Sequence, residues 1–199
     1  MKHSSLPDLG FREGSTSGRF LTWHPQASRD GTRRARSWSL RSTGAVPETT
    51  DLPANGMVVD LPSLRAGWEL SSGRPGVPPE RRWNLDPFTY APQPGPDWKR
   101  CISVPVALHS GSGLIPAVWE QASFAARNAL DDLRKAVLGA GDEDDLPLVR
   151  CTGTRRVQTA GGGTEVPILE LIKLVARPNV LAMPPRHQRD RRDGDDDVC

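Results

Sequence analysis

The clearest element in this chain is one stretch that repeats apolar residues at helical spacing, and the helix it predicts has to find its packing partners among strands. Trp119, Ala122, Ala126, Leu130, Leu133 and Val137 follow steps of three and four, which places them on one face of a helix. Gln121, Arg127, Asn128, Asp131, Arg134 and Lys135 fall elsewhere on it. Pro116 sits near the expected start, where a missing N–H costs nothing, and Gly139 supplies a C-terminal stop. Asp131 and Lys135 are four apart with the acid first, the favourable order for an ion pair. Phe124 lies off the apolar stripe.

Around the helix the period is two. Ile102, Val104, Val106 and Leu108 alternate with Cys101, Ser103, Pro105 and Ala107. Pro105 cannot donate to a ladder, so that strand is expected at an edge or bulged. The stretches 148–157 and 166–175 flank Gly161-Gly162-Gly163 and read as a hairpin. Ile168, Leu171, Ile172 and Val175 also fit a helix; a strand is expected because only ten residues lie between Pro167 and Pro178 and β-branched residues are frequent. Residues 19–23 and 36–40 read as two strands across a polar loop, and 56–60 as a short apolar strand. From Ser71 to Asp97 the chain is rich in Pro, Gly and Arg without periodicity, and is expected to wrap the surface or to carry function.

The element order predicts a mainly β (α+β) fold. It is either a small barrel like the oligonucleotide-binding (OB) fold or a curved antiparallel sheet, with one amphipathic helix between strands. Part of the chain is not expected to pack. Hydrophobic residues are 36%, against roughly 45–50% in globular chains, and Gly and Pro number 19 each. Residues 1–17 are polar and aperiodic and read as a disordered arm. Residues 179–199 read as a disordered tail, basic from Arg186 to Arg192 and acidic from Asp193 to Asp197. One domain is expected over 18–178, with its long loop at 71–97.

A formal charge of +2 excludes a histone-like polycation and an acidic solvating protein. No apolar run approaches the roughly 18 residues of a membrane span, and the first residues carry no apolar core of a secretory signal. Cys101, Cys151 and Cys199 are widely spaced and odd in number, which fits neither a disulfide framework nor a zinc ribbon and points to a reduced, cytoplasmic setting. Catalysis has little support. His109-Ser110-Gly111-Ser112-Gly113 is not a nucleophile elbow, and reads as a strand-end turn. Gly161-Gly162-Gly163 lacks the Lys-Ser/Thr of a phosphate loop. Asp142-Glu143-Asp144-Asp145 reads as a solvated loop rather than a nuclease metal site. No enzyme activity and no cofactor is expected.

Binding of single-stranded nucleic acid has more support, because it needs aromatic faces for bases beside cations for phosphates. Six tryptophans are many for this length, and five precede residue 100. Trp119 belongs to the helix stripe and therefore to the core. The expected binding set is Trp23, Arg33, Arg34, Arg36, Trp38, Arg81, Arg82, Trp98, Lys99, Arg100, Arg155 and Arg156. Expected partners are single-stranded DNA or RNA and, through the acidic tail, replication or recombination proteins; no membrane is expected.

Four stretches together resemble small bacteriophage- and prophage-encoded proteins: Asp60-Leu61-Pro62-Ser63-Leu64-Arg65-Ala66-Gly67-Trp68; Pro92-Gln93-Pro94-Gly95 with Trp98-Lys99-Arg100; 119–133; and Val166-Pro167-Ile168-Leu169 ending at Arg177-Pro178. The resemblance implies a phage-type replication or recombination accessory. The alternatives are an interaction or virion-associated protein without nucleic-acid binding, and a metal-dependent nuclease, which the absence of spaced carboxylates disfavours.

Overall fold

Twelve residues of one strand, β7 (Lys99–Ser110), organise the sheet. The computed structural model describes residues 18–27, 31, 34–74, 77–89, 91–138, 140, 145–159 and 162–182. The expected arm, the tail from 183, Arg33, Gly139 and the acids Asp142, Glu143 and Asp144 lie outside the described residues. The strands before β7 are β1 (Arg19–His24), β2 (Ser37–Ser42), β3 (Glu48–Thr50), β4 (Met57–Val59), β5 (Arg65–Leu70) and β6 (Glu80–Trp83). After it come β8 (Gly113–Gln121), β9 (Leu146–Thr159) and β10 (Gly162–Val175). A short α1 (Leu52–Asn55) precedes β4, and α2 (Phe124–Val137) lies between β8 and β9.

These strands form one sheet in the order β10-β9-β4-β7-β8-β1-β2-β3, with β5 and then β6 branching from β7. Only β1–β8 is a parallel pair among the described strands. The fold is mainly β, and the sheet curls into a half-barrel. This is the curved sheet of the two expected architectures. An OB barrel closes five strands; here the sheet forks. One side of β7 carries β8, while the other pairs with β5 over 99–103 and with β4 over 106–108.

Pro105 sits at that fork. The strand is interior, not the edge expected from its proline. A residue's N–H and C=O point to the same side of a strand, and the Pro105 carbonyl accepts from Asp60 N at 3.0 Å. The missing donor therefore faces the gap between β4 and β5, where no ladder bond is lost.

The inner face of the curl holds the core. Ile102, Val104, Val106 and Leu108 of β7 pack with Leu21, Trp23, Trp38, Met57, Val59, Ala117 and Trp119. Helix α2 lays Ala125, Ala126, Ala129, Leu130 and Leu133 onto the same cluster. Trp38 meets Trp23 at 5.2 Å and Trp119 edge-on at 5.0 Å, within the spacing of favourable ring pairs. Trp23 Nε1 donates to Glu165 O at 3.0 Å, which ties β1 to β10 across the mouth of the curl.

The helix starts later than its periodicity predicts. Trp119 is buried, but in β8, opposite Val104. Ile115, Ala117 and Trp119 continue the two-residue period of the β7–β8 hairpin, and their match to a helical step is coincidental. The first helical residue is Phe124, because the Ser123 hydroxyl accepts from Ala126 N at 3.1 Å and caps the turn. Pro116 lies in the strand, opposite Ala107. Asp131 pairs with Arg127 at 3.1 Å rather than with Lys135.

The late hairpin forms as strands β9 and β10, which are antiparallel and bulged between Ile168 and Leu169 and between Leu171 and Lys173. The turn at 109–113 joins β7 to β8, and Ser110 Oγ donates to Gly113 O at 2.9 Å. The 71–97 segment contains a strand that its composition hides: β6 pairs with β5. Gly67 permits this approach, since a Cβ there would lie 2.0 Å from Arg82 O. Order also runs past Pro178. A 3-10 turn at Asn179–Leu181 buries Leu181 on the outer face against Val58, Ala107 and Leu146. The expected tail thus begins too early, because one apolar residue without periodic neighbours still finds a hydrophobic site.

Candidate nucleic-acid interface

The predicted binding residues do not form one surface. Trp23 and Trp38 are core residues, buried in the three-ring cluster, so neither offers a face to a base. Alternation had put both on strands, and burial of their faces follows from the curl. Arg34 and Arg36 lie on the turn into β2. Arg36 has a φ of 55° and binds Glu165 at 3.0 Å. Arg155 on β9 is held by Asp132 of α2, and exposed Arg156 packs its guanidinium against Gly163.

Arg81 is also committed. It bridges Glu69 at 2.9 Å and Glu120 at 2.6 Å. Burial disfavours its charge, but the Glu69 hydrogen bond and the two carboxylates outweigh that and raise its pKa. Arg65, stacked 4.4 Å over Trp83 on the same side, is lowered by burial and then by the charge of Arg81.

Four predicted residues do come together, at the start of β7. Register places Arg82 of β6, Trp68 of β5 and Arg100 of β7 opposite one another in a row across three strands. Arg100 stacks over Trp68 at 5.3 Å, and Arg82 over Trp98 at 4.7 Å, both within reach of the ring quadrupole. Trp68 and Trp98 are only 8% and 9% exposed, whereas the Arg82 side chain is 61% exposed. The rings thus back the guanidinium groups, and the outward surface of the row is cationic. Glu80 approaches Arg82 at 3.3 Å, an exposed contact of small energy. Arg100 is exposed within the row, and its neighbour Lys99 is exposed as well.

The 84–98 segment fixes this corner. Trp68 Nε1 donates to Ala91 O, Asn84 N to Ala66 O, and Gln93 Nε2 to Trp98 O. Asp86 makes the turn: its carboxylate accepts from the Thr89 hydroxyl and Phe88 N, and these bonds hold its pKa below the usual carboxylate range. Arg127, placed off the helix stripe by periodicity, is buried and donates to Pro87 O at 2.7 Å. Sequence reading missed Trp68 and Arg127 as parts of the site. Alternation of Ala66, Trp68 and Leu70 carried a signal for the first; nothing in the sequence marks the second, whose partner is a loop carbonyl.

Among the described residues no group of three His, Cys, Asp or Glu side chains can hold a metal ion. Cys101 and Cys151 are free thiols. No helix among the described residues is long and apolar enough to cross a membrane. No family model, curated protein or solved structure matches the chain.

Proposed function

We propose that this chain is a non-catalytic, cytoplasmic binding protein for single-stranded nucleic acid, with Arg82 and Arg100 at the centre of its binding surface. One observation carries the reading: two guanidinium groups lie stacked on tryptophans that are themselves pinned by the fold. A stacked guanidinium is preorganised. Its outer face can receive a base and its edge can donate to phosphate oxygens. Lys99, the neighbour of Arg100 in β7, is exposed as well. On this reading the contact surface is the arginine layer, and the buried indoles of Trp68 and Trp98 set its position.

The test is anisotropy of labelled single strands of about 16 nucleotides across a salt series, with wild type and the Arg82→Ala/Arg100→Ala variant. Wild-type affinity should fall with salt, and the slope should shrink by roughly 0.7 for each cation removed. No wild-type binding at low salt, or an unchanged slope in the variant, refutes the reading. A protein-interaction role would then lead.

A further inference from the structure

Beside the arginine row, the first turn of α2 and the start of β7 enclose a groove of about 310 Å³. Lys99 and Arg100 line one part of it, and Ala122, Phe124 and Asn128 another. Phe124, the single aromatic residue of α2, is 49% exposed there. Its direction is fixed, because the Ser123 cap sets where the helix begins.

We infer that this groove holds one nucleotide unit, with its base against Phe124 and its phosphate on Lys99 and Arg100. The two halves of the lining demand two halves of a ligand. An exposed aromatic ring in a largely apolar groove favours a flat aromatic group. Two exposed cations at its edge favour an anion. Asn128 brings an amide, donor and acceptor in one group, to the same wall. The volume lies at the bottom of the usual ligand range of roughly 300–1,000 Å³, which is room for one nucleotide unit. The assignment rests on the reading of Arg82 and Arg100 as a strand-tracking pair. Arg100 belongs to both features, so the groove takes the nucleotide next along the strand.

The experiment has two arms on the full chain. In the first, adenosine monophosphate, adenosine and inorganic phosphate are titrated separately, and the NMR signals of Phe124 and Asn128 are followed. Only the monophosphate, which engages both halves, should shift them at low ligand concentration. In the second, single-strand affinity is measured for Phe124→Ala and Phe124→Tyr. The alanine variant should lose roughly tenfold, as expected for one stacked base, and the tyrosine variant should keep wild-type affinity. A side chain this exposed can be truncated without unfolding the protein, which the melting midpoint verifies. If strands bind Phe124→Ala as tightly as wild type and the monophosphate moves neither signal, the groove assignment is overturned while strand binding stands. If the monophosphate binds but no strand does, the strand reading falls and the groove is a site for a free nucleotide. If neither binds, both are overturned.

Discussion

Removing the Asp60 carboxylate should cost about 2–4 kcal/mol of stability. Asp60 is 1% exposed and lies between β4 and β5, where its side chain accepts from Ser63 N at 3.2 Å and from Arg177. That ion pair joins positions 117 residues apart and fastens the chain just after β10 to the fork in the sheet. Breaking a buried pair by deleting one partner typically costs about 3–5 kcal/mol, because the other charge is left uncompensated. Arg177 is 30% exposed, so water recovers part of its charge and the lower range applies. The orphaned Ser63 N–H contributes on the order of 1 kcal/mol of that total. For a domain this size, the Asp60→Ala midpoint should drop by roughly 4–16 °C. The assay is thermal and urea unfolding of wild type, Asp60→Ala, Arg177→Ala and the double variant. The double variant should cost less than the sum of the singles, with a coupling of about 0.5–3 kcal/mol. A single-variant cost under about 0.5 kcal/mol, or strictly additive singles, would falsify the clasp.

Two further outcomes follow from local structure. Ser123→Ala should lower stability by about 1 kcal/mol through loss of the α2 cap; an unchanged urea midpoint would mean that the helix starts elsewhere. Burial, and then the nearby Glu69 charge, push the Cys101 thiol up to about 12, so a thiol reagent should fail to label it at pH 8 until the protein unfolds. A folded pKa above the unfolded value of about 8.5 contributes stability that is complete below that pH and is lost as pH rises toward the folded value. The unfolding midpoint of wild type should therefore fall more steeply between about pH 8.5 and 12 than that of Cys101→Ala; equal slopes would show an accessible thiol.

Local pattern was enough to locate β1, β2, β7, the late hairpin and the body of α2, because each carries its own period and turn residues. It misplaced the helix start at Trp119, where two periods fit the same residues and only the Ser123 cap and the β7–β8 register decide between them. It missed β6, whose Glu80-Arg81-Arg82-Trp83 has no apolar alternation and is a strand because β5 offers it an edge. The binding set was chosen by the adjacency of Arg and Trp in sequence. That adjacency picked out Arg82, Trp98, Lys99 and Arg100, which the fold brings together, yet could not say which face of each ring would remain open.

By itself the sequence determined the class of this protein: one amphipathic helix, period-two strands, and turns punctuated by Gly and Pro admit little besides a helix on an antiparallel sheet. Only the tertiary structure decided how the sheet forks at Pro105, which tryptophans face inward, and which arginines are neutralised by Glu69, Glu120, Glu165 and Asp132. The physical reason is the range of the forces. Periodicity and capping act over a few residues, whereas curl, burial of a ring face and ion pairing join segments far apart in the chain, as Asp60 and Arg177 do.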